Sequence, residues 1–433
     1  MLKLISRAAF AAALMSSTAA VAQMGSYTPP PSTGGTAAPA AQKPATSHAS
    51  AGKLSPAVGK PLQEAIAASQ AKDFQGALAK IKEAQAAPSP TDFDTYKINQ
   101  VLAFVEVSLK DYVAADTAYE GAADSPAMPD EDKPQILHDA LLLSAQQKHW
   151  DKTVKYGQQL EALNKLDDEL ESDMAVAYYS LNDKANATKY AQMSVAAAKA
   201  AGKQPQQSAL QITLNGQASS NNQAGAEQTL EQLAMQYNSP DAWGQLIDVG
   251  FGAKGMNDIT AIDLYRLKFT TKAMKGDDAK LAGRLANQIG FFGDAVAFLS
   301  QGGGGADLSK ARSDAAKDQA SLTSQIAQAK KGNGEVAVKV AEGLYGYGRF
   351  AEAEALARDA MSKNGMKYPY EAPLLVGMSL VGQGKFADAV QAFGQVSGGE
   401  AAQKVAHLWT LYAQRQTSGA PAAAAPAQPA PQQ

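Results

Sequence analysis

A short pattern returns along this chain at a nearly fixed interval, and that recurrence limits the folds open to it. Gly348-Arg349-Phe350-Ala351-Glu352-Ala353 aligns with Gly384-Lys385-Phe386-Ala387-Asp388-Ala389, 36 residues further on. Near the start, Asp73-Phe74 and Asp111-Tyr112 hold the corresponding place, 38 residues apart. Small and apolar residues follow each at helical spacing: Ala77, Ile81, Ala84; Ala115, Tyr119, Ala122; Ala353, Ala357, Ala360; Ala389, Phe393, Val396. Spacings of three and four put each set on one helix face. A period of this length marks stacked supersecondary units, none of which buries its apolar face alone.

Each unit reads as a helical hairpin. A first helix ends at a tight turn, where glycine tolerates positive φ. An aromatic side chain after the turn wedges between the two helices, and alanines on the second helix allow close backbone approach. Proline often follows, as at Pro88, Pro126, Pro205 and Pro240.

In this order of turn, aromatic, alanine and alanine the chain resembles the tetratricopeptide repeat family. The pattern is clearest at 72–87, 110–126, 343–361 and 379–396, with weaker units around Trp150, Ala187, Ala226 and Ala295. Thr153 departs from it, standing where a small alanine is expected. The resemblance implies an all-α superhelical solenoid of about eight or nine hairpins. Residues 250–260 read as a looped insertion. The run Gly302 to Gly305 precedes a polar helix, Leu308 to Lys331, whose Leu308, Ala315, Leu322 and Ala329 recur every seven residues. That narrow seam suits packing along another helix.

The ends read differently from the body. Lys3 and Arg7, an apolar stretch from Ala8 to Met15, and small residues closing on Ala20-Val21-Ala22 have the order of a cleavable export signal, cut after Ala22. The apolar stretch falls short of the ~20 residues a spanning helix needs. Residues 23–53, rich in Pro, Ala and Ser, bury too little to fold and read as a disordered linker. The folded body then comprises a solenoid over 54–301, a hinge and connecting helix over 302–332, and repeats with a capping helix over 333–416. A disordered Ala/Pro/Gln tail, 417–433, follows. The expected location is the bacterial periplasm.

Composition excludes several classes of chemistry. The chain has 433 residues and no cysteine, so it has no disulfide, thiolate metal site or cysteine nucleophile. A net charge of −3, with lysines interleaved among acids, gives no basic patch for nucleic acid. Three Gly-x-Gly-x-x-Ala segments, starting at Gly332, Gly346 and Gly382, lack the preceding strand that a dinucleotide site requires and read as turns. His138 and His149 lie eleven residues apart, too far to share a helix face as a zinc pair. The acids Asp167, Asp168, Glu169 and Glu171 read as a helix start, where carboxylates favour the positive end of the dipole. No cofactor, metal or membrane insertion is expected.

What remains is a binding surface. By resemblance, the first helices of the hairpins line a concave groove for a peptide or protein subunit. The residues facing it are Lys97, Gln100 and Phe104, then Tyr179, Glu342 and Tyr345, and Met378. Several of these, Phe104 and Met378 above all, equally suit packing between helices. The Lys/Asn carboxylate clamp known in the family is not matched, since only Lys97 is suitable. The expected function is a non-enzymatic periplasmic scaffold with a protein partner. An all-α polysaccharide-acting enzyme and a purely architectural spacer stand as alternatives.

Overall fold

The recurring turn shows why these residues form hairpins. The computed structural model describes residues 52–418, so the expected signal, nearly all of the linker and the tail beyond Ser418 lie outside the described residues. Within them are twenty α-helices and no strand, an all-α repeat architecture. They fall into two compact units that divide between Gly216 and Gln217.

The first unit holds four hairpins: α1 (Pro56–Gln70) with α2 (Phe74–Gln85), α3 (Asp92–Leu109) with α4 (Tyr112–Ala123), α5 (Lys133–Gln146) with α6 (Trp150–Ala162), and α7 (Asp168–Ser180) with α8 (Lys184–Ala200). The division passes through α9 (Gln207–Ser219). The second unit continues with α10 (Gln223–Tyr237), α11 (Pro240–Gly250), α12 (Asp258–Thr270), α13 (Gly276–Ile289), α14 (Phe292–Gln301) and the long α15 (Gly305–Lys331). It ends with α16 (Gly334–Gly346), α17 (Phe350–Met361), α18 (Glu371–Gly382), α19 (Phe386–Phe393) and α20 (Glu400–Thr417).

Eight of the turns share one backbone solution. A residue with left-handed φ stands at each: Lys72, Lys110, Lys148, Asn182, Asn221, Gly290, Gly348 and Gly384. The amide of the next residue then donates back to a carbonyl five positions earlier, as in Asp73 to Ala68, Asp111 to Glu106 and Arg349 to Leu344, each at 2.9 Å. This is the Schellman closure, which satisfies helix-end carbonyls. In four turns the same next residue caps the second helix: Asp73, Asp111, Asp183 and Asn222 accept from the amides of Gly76, Ala114, Asn186 and Gly225 at 2.9–3.1 Å. One dipeptide thus ends one helix and begins the next. The segments at Gly332, Gly346 and Gly382 likewise sit at helix ends leading into another helix.

Small residues set the packing. Ala77, Ile81 and Ala84 are fully buried and cluster with Val58, Leu62, Ala65, Ile98 and Val105 across α1, α2 and α3. Thr153, the departure from the alanine pattern, is also fully buried. Its hydroxyl is satisfied by Ser144 Oγ at 3.0 Å and the His149 carbonyl at 3.2 Å. One expected helix face is shorter than read: α19 stops at Phe393, where Gly394 follows, so Val396 lies beyond it.

The second unit closes on itself. The α15 seam is buried at Ala315, Leu322 and Ala329, and the helix packs on α13, α14, α16 and α17. Hence the glycine run Gly302 to Gly305 lies inside this unit. A loop over 251–257 joins α11 to α12, where the insertion was expected. The last helix, α20, meets α18 and α19 and also returns to α10, α11 and α12. Trp409 stacks on Phe393 (6.3 Å between centroids), and its Nε1–H donates to the Asp263 carbonyl at 3.1 Å. Two helices become interior: α12 is buried from Ile262 through Lys268, and α18 from Glu371 through Val381.

The turn geometry makes a differential prediction. Gly348 has φ +74° and open space around its missing Cβ, so Gly348→Ala is strained only by its backbone and should cost about 1 kcal/mol. Gly343, inside α16 and equally uncrowded, should gain up to about 1 kcal/mol as alanine. Urea denaturation of the two variants checks both signs.

Candidate functional site

Two places gather the residues that sequence reasoning singled out. In the first unit, first helices lie side by side, α1 on α3 and α5 on α7. Each presents a strip of half-buried side chains at helical spacing. On α3 the strip is Lys97, Gln100, Val101 and Phe104; on α5 it is His138, Leu142 and Ala145; on α7 it is Glu169, Asp173, Val176 and Tyr179.

Lys97 holds the strip to the next hairpin. Its Nζ donates to Asp132 Oδ2 at 2.9 Å and Gln100 Oε1 at 3.0 Å, and lies 5.0 Å from the Tyr96 ring centroid. Asp132 stands at the N-cap of α5 and also accepts from the Tyr96 hydroxyl. Phe104 packs edge-to-face on Phe74 and against the α1–α2 core, so part of it serves the hairpin. Tyr179 is half-buried, and its sequence neighbour Tyr178 stacks on Tyr190.

The α5–α7 stretch is acidic. A hydrogen bond from its Nδ1–H to the Asp139 carboxylate, opposed in part by burial, raises the His138 pKa above 6.5, and the charges of Asp139, Asp167 and Glu169 add to the rise. Burial, with the charges of Glu169 and Asp167, pushes the Asp173 carboxyl up to about 7. Sequence reasoning did not connect His138 with Asp173; the juxtaposition needs two neighbouring hairpins in register.

In the second unit, Glu342, Tyr345 and Met378 occupy different surroundings from the open groove expected of them. Met378 is fully buried in α18, and Glu342 is 1% exposed. The closure of this unit places α12 across from α16, bridged by long side chains. Arg266 is the hub. Its Nη1 donates to Glu342 Oε2 at 2.5 Å and Asp263 Oδ1 at 3.0 Å. Its Nε and Nη2 clasp Asp294 at 3.1 and 2.7 Å. The guanidinium carbon lies 4.4 Å from the Tyr345 ring centroid and 5.3 Å from that of Phe291.

Two glycines permit this approach. A Cβ on Gly293 would lie 2.3 Å from the Gly346 backbone carbon, and one on Gly346 would lie 2.8 Å from Asp294 Oδ2. The start of α14 can therefore touch the end of α16, delivering Asp294 to the hub. Beside it opens a cleft of about 530 Å³, lined by Arg266, Phe269, Asp294, Phe298, Tyr345 and Phe350, among others.

The hub was legible only in part. Asp263 and Arg266, three apart in the apolar run Ile262 to Leu267, are the signal that sequence offers; Asp294 and Glu342 reach it from distant helices. No group of three or more His, Asp or Glu able to hold a metal occurs among the described residues, and no described helix is long and apolar enough to cross a membrane.

Removing one member of a buried ionic cluster leaves the others uncompensated. Arg266→Met should destabilise the second unit by about 3–5 kcal/mol. Lys155→Met, which breaks the half-exposed pair with Asp124, should cost less than ~1 kcal/mol. Thermal unfolding of the two variants separates these outcomes.

No protein-family model matches the chain, and no curated protein sequence does. Among solved structures, a tetratricopeptide repeat protein from Parabacteroides merdae aligns at 11% identity over 73% of this chain and 98% of its own, with a TM-score of 0.27. A structure of Naa15/Naa10 bound to HypK-THB aligns at 15% identity over 80% of this chain, with a TM-score of 0.32; this chain spans 58% of that one. The likeness to tetratricopeptide repeats rests on the recurring turn, cap and alanine face described above. On that pattern the described residues form an all-α array of helical hairpins whose turns resemble those of tetratricopeptide repeats.

Proposed function

We propose that this protein is an exported periplasmic scaffold that acts by binding a peptide or protein subunit rather than by catalysis. The observation that carries the reading is the run of half-buried strips on α3, α5 and α7, whose side chains are neither core nor fully solvated. Helical-repeat arrays use such a face to hold an extended segment or a helix. We favour the first unit for the partner because in the second Glu342 and Tyr345 are engaged by Arg266 of α12 and Met378 is buried. Aromatic and aliphatic members, Phe104, Leu142, Val176 and Tyr179, supply apolar contact, and Gln100 and Asp173 supply polar contact.

A photo-crosslinking residue at Gln100, Leu142 or Val176 tests the face in the intact cell envelope. The same residue at Val113 of α4, which is 68% exposed, serves as control. Crosslinks to one common protein from all three positions and none from Val113 are expected. Equal capture from every position, or none from any, would overturn the reading.

Export is supported by the charged, apolar and small-residue order of residues 1–22. N-terminal sequencing of the protein from a periplasmic fraction should begin at Gln23. An intact Met1 on a cytosolic protein would contradict it.

A further inference from the structure

The hub in the second unit has too few cations for its acids. Among the described residues Arg266 is the one cation bonded to three carboxyls, Asp263, Asp294 and Glu342, all 5% exposed or less. Glu371, 2% exposed at the start of α18, adds a fourth buried carboxyl, close enough that the charges of Glu342 and Asp263 act on it. Oε1 of Glu342 is buried and also lacks a hydrogen-bond partner. One guanidinium does not neutralise this set in a low-dielectric interior, where like charges a few ångströms apart cannot all ionise.

We propose that the cluster is a proton-dependent latch: α12 stays seated across from α16 and α18 while Asp263 and Glu371 hold protons, and loosens from them, opening the adjacent cleft, as those protons leave. The seat itself is thin. Side chains bridge it, namely Arg266 to Glu342 and the Asn257 amide to the Tyr370 hydroxyl at 2.6 Å. Of the charged groups facing the hub, Asp263 and Arg266 come from α12, Asp294 from α14, and Glu342 from α16, with Glu335 and Lys339 farther along that helix. Tyr345 of α16 lies against the guanidinium, and burial raises its hydroxyl pKa, so it stays neutral. Glu371 comes from α18, and α20 contributes the neutral Trp409. Lys268 on α12 is turned away to Asp248 and Asp278.

Burial, and then the charge of Glu342, pushes Asp263 from 3.8 to about 8 and Glu371 from 4.5 to about 8. Burial likewise raises Glu342. The folded unit therefore binds protons that the open form gives up. Both forms are protonated below about pH 4, so the latch is strongest there. Its strength declines as pH rises and is lost once pH passes about 8.

Hydrogen–deuterium exchange on the full chain between pH 5.5 and 9, corrected for intrinsic exchange, reads the latch in residues 258–270. Protection there should fall about tenfold per pH unit for each proton released. Asp263→Asn with Glu371→Gln should flatten that dependence and keep 258–270 protected at pH 8.5. If the double variant does not fold, each single variant should reduce the slope by about one proton. Protection of 258–270 that ignores pH in the wild type, or a slope unchanged in every folded variant, would overturn the proposal.

Discussion

A helical hairpin has two apolar faces and covers only one of them, so every hairpin in this chain depends on a neighbour. The rest of the architecture follows from how each unit meets that demand. In the first unit, hairpins stack in sequence order and the first helices lie side by side, leaving a half-buried strip along them. In the second, α20 returns to α10, α11 and α12, and the unit covers its own inner face. The same repeat thus yields an accessible face in one unit and an occupied one in the other. This is why Lys97 and Gln100 remain near solvent whereas Glu342 and Met378 do not.

Closing the second unit places charges where burial is expensive. Arg266, Asp263 and Glu342 are each nearly inaccessible, and the bidentate clasp of Asp294 satisfies two of the guanidinium nitrogens. A hydrophobic core of similar volume would often be as stable or more so, and removing one partner is what costs most. The cluster therefore ties α12, α14 and α16 into one arrangement and makes that arrangement sensitive to protonation. The close approach of Gly293 to Gly346 is part of the same device, since any side chain there would push α14 from α16.

Much of the fold was legible because its determinants are local. Asp73 and Asp111 mark turns whose geometry depends on a few consecutive residues, and Ala77, Ile81 and Ala84 reveal their face by spacing alone. The sequence-only preference for glycine in the turn was too narrow: lysine or asparagine holds the left-handed position in five of the eight shared turns. A residue there needs only to tolerate the backbone, and the Schellman hydrogen bonds hold it in place. The binding residues were less legible. Family register put Glu342 and Met378 on a groove, but register within one hairpin cannot show that a helix some 76 residues away fills the space opposite, as the Arg266–Glu342 bond does. His138 and Asp173 were missed for the same reason, being brought together by stacking and not by sequence.

The central claim is that one unit leaves its first-helix face accessible and the other covers its own. Hydroxyl-radical footprinting of the free full-length chain measures this directly, because methionine and aromatic side chains react readily wherever solvent reaches them. The account predicts rapid modification of Tyr179, with Met378, Trp243 and Trp409 protected. Oxidation of Met378 and Trp409 as fast as that of Tyr179 would show that the second unit is open, and would contradict the account.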